Sequence, residues 1–141
     1  MKAMILRAAL PLAFASLLAS PAKAQTTDAV WSHHIAAWNE RDLTKLVADY
    51  DEQSVVVVNH HVFRGQAGVR KAFTQLFKIF DDGQNNLDAP TVLDGTVYIT
   101  WHFAPTGRET LFGSDTFVIR DGKIALQTIA SPLYEVEPVT E

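Results

Sequence analysis

The chain has 141 residues, of which 48% are hydrophobic and 20% are charged, and this composition indicates one ordinary folded domain rather than a disordered or fibrous chain. Its 12 Lys and Arg against 16 Asp and Glu give a net charge of −4 at pH 7, so the clustered basic charge that binds nucleic acid is missing. Because the sequence has no cysteine, disulfide bonds, thiolate metal sites and cysteine nucleophiles are excluded.

The start of the chain has the pattern of a secretory signal peptide. Lys2 and Arg7 supply positive charge, residues 8–19 form an apolar run, and an A-x-A sequence ends at Ala24. This run is shorter than the roughly 20 residues that cross a bilayer as a helix, although an uncleaved anchor is the alternative. We therefore predict a mature domain of residues 25–141 that is secreted or periplasmic and has no membrane association after cleavage.

Two helices are predicted at the start of the mature segment. Apolar residues recur at helical spacing from about Asp28 to Asn39, and His34 is a polar member of that stripe. The neighbouring His33 lies about 100° away around the helix and is expected to point outward. Asp42 is expected to cap a second, short helix.

A strand, a third helix and a meander of strands are predicted next. Residues 54–59 include four consecutive valines, which indicates a buried strand with His60 at its end. The third helix has an apolar face at helical spacing, and the polar run Asp81–Asn86 after it is expected to be a loop. Turn signals, of which Asp121-Gly122 is the strongest, then separate the four strands of an antiparallel meander.

Three segments of the chain carry a family likeness: AAWNERDL at residues 36–43, FRG at 63–65 and GSDTFVIRDGKI at 113–124. They resemble the SnoaL-like and ketosteroid isomerase-like branch of the nuclear transport factor 2-like (NTF2-like) superfamily, over about residues 28–131. The resemblance implies an α+β fold in which three helices pack on the concave face of a cone-shaped, curved antiparallel sheet. This superfamily includes isomerases, dehydratases, polyketide cyclases and domains without chemistry, so the likeness identifies the fold more closely than the activity.

Asp115 is the first candidate for chemistry. Along its predicted strand it shares a face with Gly113, Phe117 and Ile119, so it is a lone carboxylate on an apolar face, where desolvation favours the protonated form. In ketosteroid isomerases the matching aspartate is a neutral hydrogen-bond donor to an oxyanion, and the resemblance implies this role for Asp115. The alternative is a buried aspartate that only bonds to neighbouring side chains.

His34 and His60 complete the predicted catalytic set with Asp115. His34 falls where ketosteroid isomerases carry a tyrosine, and Val58 occupies the strand position of their catalytic aspartate base. Because Val56, Val58 and His60 share one strand face, His60 is the candidate base. The implied fold directs His34, His60 and Asp115 to one cavity, where His34 and Asp115 are expected to titrate jointly. The alternative is that each histidine is structural or solvated.

The predicted ligand is a small, mainly apolar molecule, with acid/base isomerase or lyase chemistry as the catalytic form of the hypothesis. A non-catalytic ligand-binding or dimerisation module is the alternative. The resemblance implies that the ligand contacts Trp38, Tyr50, Val58, Trp101 and Phe117. Neither H-x-H nor H-x-x-x-H spacing occurs and no nucleotide-binding glycine motif is present, so neither a metal nor a cofactor is predicted.

The meander also predicts a partner surface. Tyr98, Thr100 and His102 alternate with apolar residues along one strand and therefore share its outer face. In proteins of the resembled fold this face of the sheet commonly pairs with a second copy. We therefore expect a homodimer with an isologous interface, the alternative being a solvated face.

Overall fold

The computed structural model describes residues 25–141, so the predicted signal peptide lies outside the described residues. In this part of the chain there are four helices: α1 (Thr27–Asn39), α2 (Leu43–Val47), α3 (Gly65–Ile79) and α4 (Leu133–Val136). None of these helices is long and apolar enough to cross a membrane.

The same residues form one sheet of seven strands. The strands are β1 (Val55–Val58), β2 (His61–Arg64), β3 (Gly83–Leu87), β4 (Thr91–Leu93), β5 (Thr96–Pro105), β6 (Leu111–Arg120) and β7 (Lys123–Ala130). Their order across the sheet is β2-β1-β7-β6-β5-β3, and β4 pairs with β5 beside β3.

The helices follow the local signals of the sequence. Asp42 caps α2, since its carboxylate accepts hydrogen bonds from the main-chain nitrogens of Thr44 at 3.0 Å and Lys45 at 2.9 Å. The inner face of α1 buries His34 together with two apolar residues, as the helical spacing predicted. The half-buried Trp31 and Trp38 lie beside that buried stripe.

The sheet confirms the predicted meander and corrects two details. Strands β4 to β7 pair antiparallel in chain order. However, β1 runs parallel to β7, so the sheet is mixed rather than antiparallel. The prediction was wrong here because the residues of a buried strand do not specify the direction of the strand beside it. The segment expected to be a loop contains β3, an edge strand on residues 101–105 of β5, and its exposed polar sequence hid this pairing.

Helices α1 and α3 cover the concave inner face of the sheet, as the α+β prediction required, with α2 packed against both. The chain leaves the sheet after β7, and α4 then returns Leu133 and Tyr134 to the core, where both are buried. The C-terminal segment therefore adds Tyr134 to the residues around the space between helices and sheet.

Candidate functional site

A cavity lies between α1, α3 and the inner face of the sheet. Its walls are mostly aromatic and aliphatic, and they include all three tryptophans of the sequence, Trp31, Trp38 and Trp101. Polar groups reach the cavity from five side chains, which are those of His34, Asn85, Asp115, Gln127 and Tyr134. An apolar enclosure with a few polar groups is the usual form of a small-molecule site.

The mouth of the cavity lies between α1 and β3, because the partly exposed wall residues are on these two elements. They are Trp31, Ile35, Trp38, Asn85 and Leu87. The space between the walls, including the mouth, is about 420 Å³, but only about 40 Å³ is open to the centres of water-sized molecules. One water needs roughly 10–15 Å³ by that measure, so a ligand larger than about three waters requires side chains at the mouth to move.

Asp115 lies on β6 and is buried in the cavity wall. Trp101 Nε1 donates a hydrogen bond to its Oδ1 at 2.8 Å, and Gln127 Nε2 donates one to its Oδ2 at 2.8 Å. The Tyr50 hydroxyl in turn donates to Gln127 Oε1. Burial raises the pKa of Asp115 from its ordinary value of 3.8 to about 6, and the Trp101 and Gln127 hydrogen bonds oppose that rise.

Strand register explains why these donors meet Asp115. Directly opposite Asp115 are Ile99 on β5 and Ile129 on β7. Trp101 and Gln127 are each two residues from those partners, so they are diagonal neighbours on the same face of the sheet, within reach of a long side chain. The pairing of three adjacent strands therefore positions this carboxyl group.

His34 reaches the cavity from α1 with only 3% of its surface exposed. Its ring packs edge-on against the rings of Tyr50, Phe73 and Phe117. The Nδ1 atom of His34 lies 3.5 Å from Asp49 Oδ2. The structure thus brings His34 and Asp115 to one cavity but gives each a different polar neighbour.

The position of His33 on the helix predicted a side chain that points outward, but its ring also contacts a buried carboxylate. The side chain is 46% exposed, yet its Nδ1 lies 2.6 Å from Asp49 Oδ1. The helical spacing placed His33 and His34 on diverging faces, but the carboxylate of Asp49 has two oxygens and faces both rings.

The structure does not bring His60 to the cavity. Val58 pairs with His61, so Asn59 and His60 form a two-residue turn between β1 and β2. His60 is exposed there, with its ring 4.2 Å from the ring of His61. The strand-parity argument for His60 fails because Asn59, at φ 52°, ends the strand before it.

The predicted ligand contacts divide into two groups. Trp38, Trp101 and Phe117 line the cavity. Tyr50 and Val58 are fully buried in the core, and neither is part of the cavity wall, although Tyr50 reaches Asp115 through Gln127.

Sequence reasoning missed four polar side chains of this region. Gln127 had a usable signal, since it stands two residues before Ile129 on a predicted strand and so shares its inner face. Asn85 lay in a segment expected to be a loop, and Tyr134 followed the strands of the meander. Asp49 gave no signal, because its burial depends on the packing of α1 against the loop after α2.

The curved, unclosed sheet with helices over its concave face defines an NTF2-like cone fold. The family model of the SnoaL-like domain matches residues 31–127. The chain therefore belongs to the SnoaL-like domain family. No curated protein sequence is significantly similar to it.

Solved structures of low sequence identity share this fold. An NTF2-like protein from Burkholderia thailandensis E264 is 19% identical with a TM-score of 0.68, over 83% of this chain and 98% of that one. A proposed polyketide cyclase from Sinorhizobium meliloti is 17% identical with a TM-score of 0.63, over 74% and 98%. TerC, crystallised with polyporic acid, is 13% identical with a TM-score of 0.65, over 79% and 95%. At these identities the likeness establishes the fold alone.

Proposed function

We propose that this domain binds a small, mainly apolar molecule in the cavity and that Asp115 contacts the polar end of that molecule. The observation that carries the proposal is a buried carboxyl group, with a pKa of about 6, in an otherwise largely apolar wall. Near neutral pH such a group changes readily between a hydrogen-bond donor and an acceptor.

The hydrogen bonds of Asp115 indicate which ligand group it would contact. Trp101 and Gln127 each occupy one acceptor position, one on each carboxyl oxygen. The proton of a neutral Asp115 is then free to point into the cavity, where a ligand carbonyl is the fitting acceptor. An apolar ligand also excludes water and so favours this neutral form further.

The catalytic form of the proposal is acid/base isomerase or lyase chemistry between His34 and Asp115. Such chemistry needs a proton acceptor and a proton donor at one bound molecule, and both side chains line the cavity. A non-catalytic ligand-binding or dimerisation module is the second candidate. The observation in its favour is the number of aromatic side chains in the cavity wall, which leave little room for a ligand between the helices and the sheet.

A thermal-shift screen of residues 25–141 tests ligand binding. Suitable probes are carbonyl compounds, sterols and aromatic acids, together with polyporic acid because of the TerC complex. A ligand at 100 times its Kd stabilises a folded protein by about 2.7 kcal/mol, which raises Tm measurably. Hits should also bind the surface variant Lys71→Glu, whose altered side chain is exposed on α3, away from the cavity. A screen without any hit contradicts the proposal, and hits that are never converted favour the non-catalytic candidate.

We propose export as the cellular context of this function, from the charged and apolar pattern of residues 1–24. Mass spectrometry of the exported protein is expected to show Gln25 as the first residue. The matched control is a chain with Leu17→Arg and Leu18→Arg, because charges in the apolar run block recognition of a signal peptide. Full-length wild-type protein retained in the cytoplasm would contradict this prediction.

We further propose a homodimer through the outer face of β5 and β6. Tyr98 is 43% exposed and Phe112 is 67% exposed on this face, and a second copy would cover both side chains. Tyr98→Glu is expected to convert a dimer into a monomer in sedimentation at micromolar concentration, because it places charges on both sides of a symmetric interface. Lys71→Glu, on the exposed side of α3, should leave the dimer intact. Wild-type protein that sediments as a monomer overturns this prediction.

A further inference from the structure

Asp49 is a buried carboxylate held between two adjacent histidines. It lies in the loop between α2 and β1 and is 5% exposed. His33 Nδ1 is 2.6 Å from its Oδ1, and His34 Nδ1 is 3.5 Å from its Oδ2. His33 is about half exposed and His34 lines the cavity, so the carboxylate lies between the protein surface and the cavity.

The main chain around Asp49 is fixed to the sheet. Its carbonyl oxygen accepts a hydrogen bond from the Ile124 nitrogen at 2.8 Å, and its nitrogen donates to the Leu46 carbonyl at 3.2 Å. The Lys123 ammonium also donates to the Ala48 carbonyl at 2.6 Å. Because β7 and α2 both hold this loop, the carboxylate has a set position toward α1.

Two buried polar atoms face each other at this point without a hydrogen bond. They are His34 Nδ1 and Asp49 Oδ2, and within residues 25–141 neither has a hydrogen-bond partner. An unpaired buried donor or acceptor is costly, so a small rotation that closes the 3.5 Å separation is favourable. A carboxylate oxygen can only accept, and this requires that His34 carry its proton on Nδ1.

We propose that Asp49 is a positioning residue that holds His34 in the Nδ1–H tautomer and thereby leaves Nε2 as a hydrogen-bond acceptor for the cavity. This inference rests on the proposed function, since it assigns a role to His34 at the same site. Nε2 lies on the opposite side of the ring from Nδ1 and so points away from Asp49. His33 satisfies the other carboxylate oxygen and keeps Oδ2 directed at His34.

The arrangement narrows the ligand class. With Nε2 of His34 as an acceptor and neutral Asp115 as a donor, the cavity fits an apolar molecule that carries both a carbonyl and a hydroxyl or acidic C–H group. Such a ligand places its carbonyl at Asp115 and its proton donor at His34. Asp49 contacts neither group and acts only through His34.

The experiment is ¹⁵N NMR of the histidine side chains in ligand-free protein at about pH 8.5, where an ordinary imidazole is neutral. The His34 signals are assigned by their loss in His34→Gln. In wild type we expect His34 to carry its proton on Nδ1. In Asp49→Asn the ratio of Nδ1–H to Nε2–H should fall at least about tenfold, because the charge-assisted hydrogen bond is lost.

Asp28→Asn is the matched control, since it removes an exposed carboxylate from the same helix and should leave the His34 tautomer unchanged. Wild-type His34 with its proton on Nε2, or identical spectra in wild type and Asp49→Asn, overturns the proposal. If Asp49→Asn does not fold, the His34 tautomer is measured in wild type and in Asp49→Glu, because glutamate keeps the negative charge. A His34 proton on Nε2 in wild type then overturns the proposal. The NMR measurement needs no ligand, so its result is independent of the ligand screen. A failed screen contradicts the proposed function, whereas the His34 tautomer tests the role of Asp49.

Discussion

Relative to wild type, Asp115→Asn is expected to gain about 2 kcal/mol of stability as the pH rises from about 4 to about 7. The reason is the raised pKa of Asp115, about 6 in the folded protein against 3.8 for an ordinary aspartate. As the pH rises, the unfolded chain releases this proton first. Neutral Asp115 therefore contributes fully to the free energy of unfolding of wild type below about pH 4. This contribution is lost as the pH rises through about 6.

Urea unfolding of both proteins at several pH values measures this effect. The useful quantity is the difference between their free energies of unfolding, because other titrating groups cancel from it and a constant cost of the substitution does not change its slope. Asp94→Asn, which makes the same substitution at an exposed position in the turn between β4 and β5, is the control for the change of side chain itself. If the free energies of unfolding of wild type and Asp115→Asn change with pH in parallel, the raised pKa of Asp115 is contradicted.

Gly113→Ala is expected to destabilise the domain by about 3 kcal/mol, at the upper end of the cost of overpacking. Gly113 pairs directly with Trp101 across β5 and β6, and a Cβ at Gly113 would lie 2.1 Å from Cζ2 of that indole. The ring must therefore move, and its movement breaks the hydrogen bond from Trp101 to Asp115. Stability and the cavity wall are affected together.

The measurement is chemical unfolding of Gly113→Ala in two backgrounds. In the Trp101→Leu background the substitution should cost less than about 1 kcal/mol, because the clashing ring is gone and the two positions are coupled. Ser114→Ala, at the next position on the opposite face of β6, should change stability by less than about 0.5 kcal/mol. Equal costs of Gly113→Ala in both backgrounds would show that the indole contact is not the cause.

The sequence predicted the parts of the fold that depend on local periodicity. Helix α1 and the meander follow from helical spacing and turn residues, and the inner position of Asp115 follows from alternation along β6. The direction of β1 and the existence of β3 depend instead on which strand lies beside them. No pattern within four valines or within a polar edge strand encodes that neighbour.

The candidate site was predicted where a side chain's face could be derived from its own element. This holds for His34 and Asp115, which both reach the cavity. It fails for His60, where a left-handed Asn59 turns the chain before the alternation reaches it. It also fails for Asp49, whose burial arises from the contact between a loop and a helix distant in sequence.

The central claim is that a small molecule enters the cavity, and the three tryptophans test it most directly. All three line the cavity, so their indole N–H signals report on one place in the molecule. In a ¹H–¹⁵N NMR titration with a hit from the thermal screen, all three signals are expected to shift. The signal of Trp101 should shift most, since its N–H is bonded to Asp115. A hit that stabilises the protein while leaving the indole signals unmoved would contradict the claim.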